Sequence, residues 1–338
     1  MFTEENVRAS IEILFDPTSG KTLKETNGIR KISIDQENKK VHIIIALDKL
    51  NTPEQEDLQF EMVKTLKVDL GFHGVKFEYT THNTRAQGET TILGPDSNVK
   101  FIAVASGKGG VGKSTVTANL AVALARLGKK VGIIDADIYG SSIAQVMQTN
   151  EQPVYEDNLF TPVSIGGIEI MTTSMLLGEN KPLMWRGPML SKILKNFFHD
   201  TKWSEDIEFI LIDLPPGTGD VALDIQNFIP QSKQLLVTTP HPNAAHVAVR
   251  AGLMAQHLNH PIIGVIENMS YLEIDGNRHN VFGIGGGEAV ANQLETNLLG
   301  QIPLGQPENG KMHSIYLKED NTSKIFDDLV SKVIKDFS

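Results

Sequence analysis

No cysteine occurs anywhere in the 338 residues. That absence excludes disulfides, thiolate metal sites and cysteine nucleophiles. Long apolar runs are missing too: none approaches the ~20 residues needed to span a bilayer. The opening segment, MFTEENVRASIEILF, lacks the charged, apolar and small-residue zones of a secretory signal, so a cytoplasmic chain with no membrane partner is expected. Positive charge is in deficit, with 31 Lys and Arg against 41 Asp and Glu, a net charge of −10. Such a balance favours solubility and speaks against nonspecific binding to nucleic acid or anionic membrane, since both require a positive surface. There is no internal repeat or low-complexity tract. What is present is an apolar fraction of 40%, enough for a real core and too much for global disorder.

The texture of the chain changes near residue 85. Before it, residues 4–15 read as a short helix, KISIDQ and KVHIIIAL as strands, 56–71 as a helix and VKFEYTT as a last strand. This predicts a small α+β domain over 1–80, followed by a polar, turn-rich linker over 81–98. From residue 99 to 338 a larger domain is expected. FIAVAS, VGIIDAD, FILIDLP, QLLVTTP and IIGVIEN are short runs rich in Val, Ile and Leu, separated by helical stretches such as 113–127. That alternation predicts an α/β fold with a mostly parallel sheet covered by helices on both faces, its site on loops at the carboxyl ends of the strands.

The run Gly107-Lys108-Gly109-Gly110-Val111-Gly112-Lys113-Ser114-Thr115 satisfies G-x-x-x-x-G-K-[ST], after a buried strand and before a helix. Its glycines let backbone N–H groups converge on an anion, and the helix start adds the positive end of its dipole. Lys113 should reach the β- and γ-phosphates of ATP, and the Ser114 hydroxyl should ligate Mg²⁺. Asp135 and Asp137 end the second strand of this domain, where Mg²⁺ and an attacking water would lie. Asp213 ends FILIDLP as the expected Walker B carboxylate, holding Mg²⁺ through water. The following PPGTGD reads as a switch loop in which Gly217 is placed to offer its N–H to the γ-phosphate. An ATPase is the expectation. No Ser-His-Asp order or second carboxylate pair supports a different hydrolase.

Lys108 is not demanded by the general loop, and this second lysine resembles the deviant Walker A group, which includes MinD, ParA and nitrogenase iron protein ATPases. The resemblance implies that Lys108 crosses a nucleotide-sandwich homodimer to the partner's phosphates. IIDADIYGSS, DLPPGTGD, VTTP and IENMSY are similar to the Mrp/ApbC family of iron–sulfur cluster carriers, over about residues 100–305. On that likeness Asp137 matches the water-positioning aspartate, Asn268 the adenine-reading asparagine, and Pro303 a loop that covers the base. The stretch Asp16-Pro17 through Gly20 and Leu23 resembles the small iron–sulfur-assembly domain often fused ahead of such proteins.

The departure is as informative as the match. Cluster-carrying members place a C-x-x-C just after the ENMSY segment, whereas this chain reads Leu272-Glu273-Ile274-Asp275-Gly276-Asn277-Arg278-His279, with no sulfur to hold an iron–sulfur cluster. Asp275-Gly276 signals a surface hairpin instead. TTPHPNAAHVAVRAG resembles a cysteine-poor branch of the family described as ATP-dependent DNA-binding regulators of transcription. Three functions therefore stand after ATP hydrolysis: a cluster carrier or assembly factor acting on apo iron–sulfur proteins through their cysteines, a regulator binding DNA, and an ATPase adaptor for protein partners. His241 and His246 read as structural, Gly283–Gly287 as a turn and N-cap, the C-terminal IFDDLVSKVIKDF as a core-packed helix, and Tyr316 as an exposed side chain.

Overall fold

The computed structural model describes residues 3–337 except 18, 27, 37, 48–51, 82–91, 94–96, 138, 139, 157, 158, 175–186, 230 and 308–312. The chain divides into two compact units, Met1–Gly94 and Pro95–Ser338. Most of the linker expected over 81–98 lies outside the described residues.

The first unit contains α1 (Glu4–Ile11), β1 (Ile29–Asp35), β2 (Lys40–Leu47), α2 (Pro53–Lys64) and β3 (Gly74–Thr81). β2 is central, antiparallel to β1 and parallel to β3. α1 begins where the Thr3 side chain accepts a hydrogen bond from the Asn6 N–H, and its buried Val7 and Ile11 pack with Ile43, Ile45 and Met62. The helix stops short of the expected residue 15. The chain leaves it so that Phe15 can bridge to Thr22, and Pro17 restricts the backbone just ahead of it. α2 starts earlier than expected, because Pro53 suits the first turn of a helix. It then widens into a π-helical turn, Thr65–Asp69, that buries Leu66.

In the second unit, β4 (Lys100–Ser106), β5 (Val131–Asp135), β8 (Val163–Ile165), β9 (Ile168–Thr172), β10 (Phe209–Asp213), β11 (Lys233–Thr238), β12 (Ile262–Glu267) and β15 (Leu298–Gln301) form one sheet. Its order is β15-β12-β11-β4-β10-β5-β9-β8, parallel throughout except for edge strand β8. Two small hairpins stand apart: β6 (Val154–Glu156) with β7 (Leu159–Thr161), and β13 (Leu272–Ile274) with β14 (Asn277–His279). Central strands such as β10 are buried at every position, as a sheet covered on both faces requires. The connecting helices are α3 (Lys113–Arg126), α4 (Ile143–Val146), α5 (Gly187–His199), α6 (Asp220–Phe228), α7 (Pro242–His257), α8 (Gly286–Gln293) and α9 (Asn321–Lys335).

Several local expectations hold. The β13–β14 turn has Asp275 at φ 49° and Gly276 at φ 75°, the left-handed pair of a tight hairpin. Gly285 caps α8. His241 caps α7, its Nδ1 accepting from the Asn243 N–H at 3.1 Å, and His246 lies 3.3 Å from Arg250. α9 buries Phe326, Leu329, Val330 and Val333 in the core, and among the described residues no helix is long and apolar enough to cross a membrane. Tyr316 corrects the reading of an exposed tyrosine. It is buried against Phe326, and its hydroxyl donates to the Gly305 carbonyl at 3.0 Å.

Candidate nucleotide site

The loop 107–112 joins β4 to α3 at the carboxyl edge of the parallel sheet. Gly110 and Gly112 sit at φ 81° and 82°, a region closed to most side chains. Gly107 is required for another reason: a methyl there would fall inside the backbone of Val247 and Ala248 on α7. A methyl at Gly112 would strike the Asn268 side chain. The loop is therefore a bare backbone cradle at the start of a long helix, a form that fits an anion.

Register brings the acids together. Val104, Asp213, Asp135 and Thr172 lie at one level across β4, β10, β5 and β9. Asp213 is fully buried, and its two oxygens accept from Ser114 Oγ at 2.6 Å and Thr117 Oγ1 at 2.8 Å. Lys113 Nζ lies 2.7 Å from the Asp213 carboxylate and 3.8 Å from Asp137. It is only 5% exposed, yet it has no aligned hydrogen-bond partner among the described residues. A buried ammonium at the start of the helix that follows a glycine cradle suits a polyphosphate. The Ser114 hydroxyl and Asp213 carboxylate offer hard oxygen donors of the kind Mg²⁺ prefers. Among the described residues no group of three or more His, Asp or Glu is placed to hold a metal ion.

Asp135 and Asp137 differ although only Ala136 separates them. Burial, then the neighbouring Asp213, pushes the Asp135 carboxyl up to about 7, against hydrogen bonds from Ser141 and the Ile143 N–H and the charge of Lys113. Ser141, Thr172 and Ser174 surround it with hydroxyls. Asp137 is raised by burial, with Lys113 and the Gly140 N–H working the other way. Lys108 is exposed and makes no ion pair among the described residues, while its carbonyl accepts from Ser106 Oγ. Gly217 lies beside the loop, but its N–H donates to the Ser106 carbonyl at 2.8 Å rather than standing free for a phosphate.

Behind the cradle is a cavity of about 210 Å³ whose lining includes Gly112, Thr115, Asn268, Pro303, Gly305 and Tyr316. Asn268, reached from β12, donates one amide hydrogen to the Val111 carbonyl at 2.9 Å, leaving a second N–H and its oxygen for a base. Sequence reading did not reach Thr117, Asn119 or Glu267. Asn119 and Glu267 carried a signal, being polar residues placed in apolar runs. Buried Glu267 accepts from Ser270, Gln301 and the Gly287 N–H, tying α8 to the end of β12.

A parallel sheet with an edge-strand exception, a glycine cradle, a buried lysine and an acid at the neighbouring strand end define a P-loop NTPase. The family model described as ParA: NUBPL iron-transfer P-loop NTPase matches residues 98–334. The iron–sulfur cluster carrier protein of Bacillus subtilis is 44% identical over 98% of this chain and 98% of its own length. Its namesake in Mycobacterium tuberculosis H37Rv is 36% identical over 88% of this chain and 83% of its own. Among solved structures, a nucleotide-binding protein from Archaeoglobus fulgidus in complex with ADP matches at TM-score 0.54 and 32% identity, over 71% of this chain and 88% of that one. The Pyrococcus furiosus cell division ATPase MinD shares the fold, with TM-score 0.52 over 70% of this chain and 98% of its own at 24% identity. The chain belongs to the iron–sulfur cluster carrier family of P-loop NTPases, the Mrp/ApbC family. These relatives do not favour the DNA-binding reading.

Proposed function

We propose that this chain is a cytoplasmic, Mg²⁺-dependent ATPase that serves iron–sulfur cluster handling through the thiolates of its partners rather than its own. The observation that carries the ATPase reading is the buried Lys113 ammonium, paired with the Asp213 carboxylate at 2.7 Å at the start of the helix that follows the glycine cradle. ATP would take Lys113 from Asp213. The carboxylate, relieved of that pairing, would keep Ser114 oriented, and these two side chains would hold Mg²⁺. Bound Mg²⁺ would neutralise charge on the β- and γ-phosphate oxygens. Asp137, whose burial makes it more basic than an ordinary aspartate, would orient the attacking water. Release of the Gly217 N–H from the Ser106 carbonyl would let the 213–220 loop answer to the γ-phosphate. The exposed Lys108 is free to reach a second copy across a homodimer.

For the cargo, family membership points to iron–sulfur clusters, and the absence of cysteine means this chain cannot supply thiolate ligands. Apo proteins or assembly factors that carry cysteines are the partners this reading requires. The test is ATP turnover by the purified chain with Mg²⁺, alongside Lys113→Ala. A fall of at least ~100-fold is expected, since this ammonium would stabilise the transferring phosphoryl group. Equal turnover in the two proteins would overturn the assignment.

A further inference from the structure

Resting on the nucleotide reading above, we infer that Asn119 is a positioning residue that holds the base-facing wall of the site to the phosphate-binding helix. Asn119 lies on α3, just past the loop, and is only 2% exposed. Its amide nitrogen donates to the Thr115 carbonyl at 2.8 Å and the Ser314 carbonyl at 2.7 Å, and its oxygen accepts from the Tyr316 N–H at 2.9 Å. An asparagine inside a helix disfavours it by roughly half a kcal/mol relative to alanine. Here both hydrogens and the oxygen are spent, two of those three bonds on a segment nearly two hundred residues away (|i−j| of 195 and 197).

That segment is the outer wall of the 210 Å³ cavity, where Ser314 and Tyr316 line it together with Pro303 and Gly305. The Tyr316 hydroxyl closes the wall on itself by donating to Gly305. On the opposite side Asn268 ties its own strand end to Val111. Two asparagines thus fasten two parts of the cavity's lining, one to the phosphate-binding loop at Val111 and one to the helix that follows it. Asn119 sets how far the outer wall stands from a base, while the phosphate contacts themselves lie elsewhere. Arg126, seven positions further along α3, holds the same segment independently through the Tyr316 carbonyl and ties it to α9 through the Ser323 carbonyl and Asp327. Loss of Asn119 should therefore let the wall drift without detaching it.

The experiment compares calorimetric binding of Mg·ATP with binding of inorganic tripolyphosphate, which has no base, in the full chain and in Asn119→Ala. ATP affinity should fall about tenfold, the scale of one or two lost hydrogen bonds, while tripolyphosphate affinity stays unchanged. Parallel loss of both ligands, or unchanged ATP affinity in a folded variant, would overturn the inference. Should Asn119→Ala not fold, Tyr316→Phe removes only the closing bond to Gly305 and is expected to show the same split with a smaller ATP loss. Equal ATP binding by Tyr316→Phe and wild type would then decide against it. If the unaltered chain binds neither ligand, the nucleotide reading itself fails, an outcome distinct from a missing split between the two ligands.

Discussion

Asp135 shows how the sheet register, and not the residue type, decides chemistry. Adjacent strand ends bury it beside Asp213, so its carboxyl is pushed up to about 7. The consequence for stability has a definite sign. Between its ordinary value of 3.8 and about 7, the native state keeps a proton that the unfolded chain releases, so folding is progressively disfavoured as pH rises through that window and levels off above it. Asp135→Asn cannot ionise and escapes this cost, although it gives up an acceptor for the Ile143 N–H. Its Tm is expected to gain on that of the wild type as the pH rises from about 5 to about 7. A gap between the two that ignores pH would show that Asp135 does not titrate there. The phosphate-loop residues were legible because spacing alone carries them. The strand pattern by itself did not tell Asp135 from Asp137; family likeness singled out Asp137, and the full burial of Asp135 is what only the structure shows.

At the scale of elements, α7 lies hard against the loop it helps to shape. Gly107 has no room for a methyl because the Val247 and Ala248 backbone occupies that space, whereas Gly109 faces open space at an ordinary φ. Gly107→Ala is therefore expected to cost about 3 kcal/mol in chemical denaturation, the scale of overpacking against rigid backbone. Gly109→Ala should cost about 1 kcal/mol or less, because it meets nothing. Equal costs for the two would mean that α7 can yield. The helices and strands themselves were read with their order correct. Strands β8, β9 and β15 of the large sheet were not read, and two ends differ: α1 stops before the Phe15–Thr22 bridge, and α2 runs into a π-helical turn that buries Leu66. Those limits are set by packing of distant residues, which periodicity along the chain does not contain.

For the whole molecule, the decisive fact is what two units carrying a net charge of −10 lack. The stretch where cluster-carrying relatives of its resemblance place cysteines is the hairpin Leu272–His279, and its strand β14 is exposed along its length. Anaerobic treatment with iron and sulfide is expected to leave the purified chain without the visible sulfide-to-iron bands of a cluster. The same treatment in the presence of a cysteine-bearing apo acceptor should not be blocked by it. A cluster retained on this chain alone, after removal of small thiols, would defeat the partner-thiolate reading.

What the sequence determined unaided is the chemistry that depends on residue order within one turn or one strand. The loop 107–115, the strand-ending aspartates, the alternation of strand and helix and the missing thiolates all belong there. Tertiary structure alone decided which of these groups meet. It set Lys113 on Asp213, Asn119 on a wall near the other end of the chain, Tyr316 in the core and Gly217 on the Ser106 carbonyl. The physical reason is that such contacts depend on the register of parallel strands and on closure of long loops. Both are fixed by burial summed over the whole domain rather than by any local pattern.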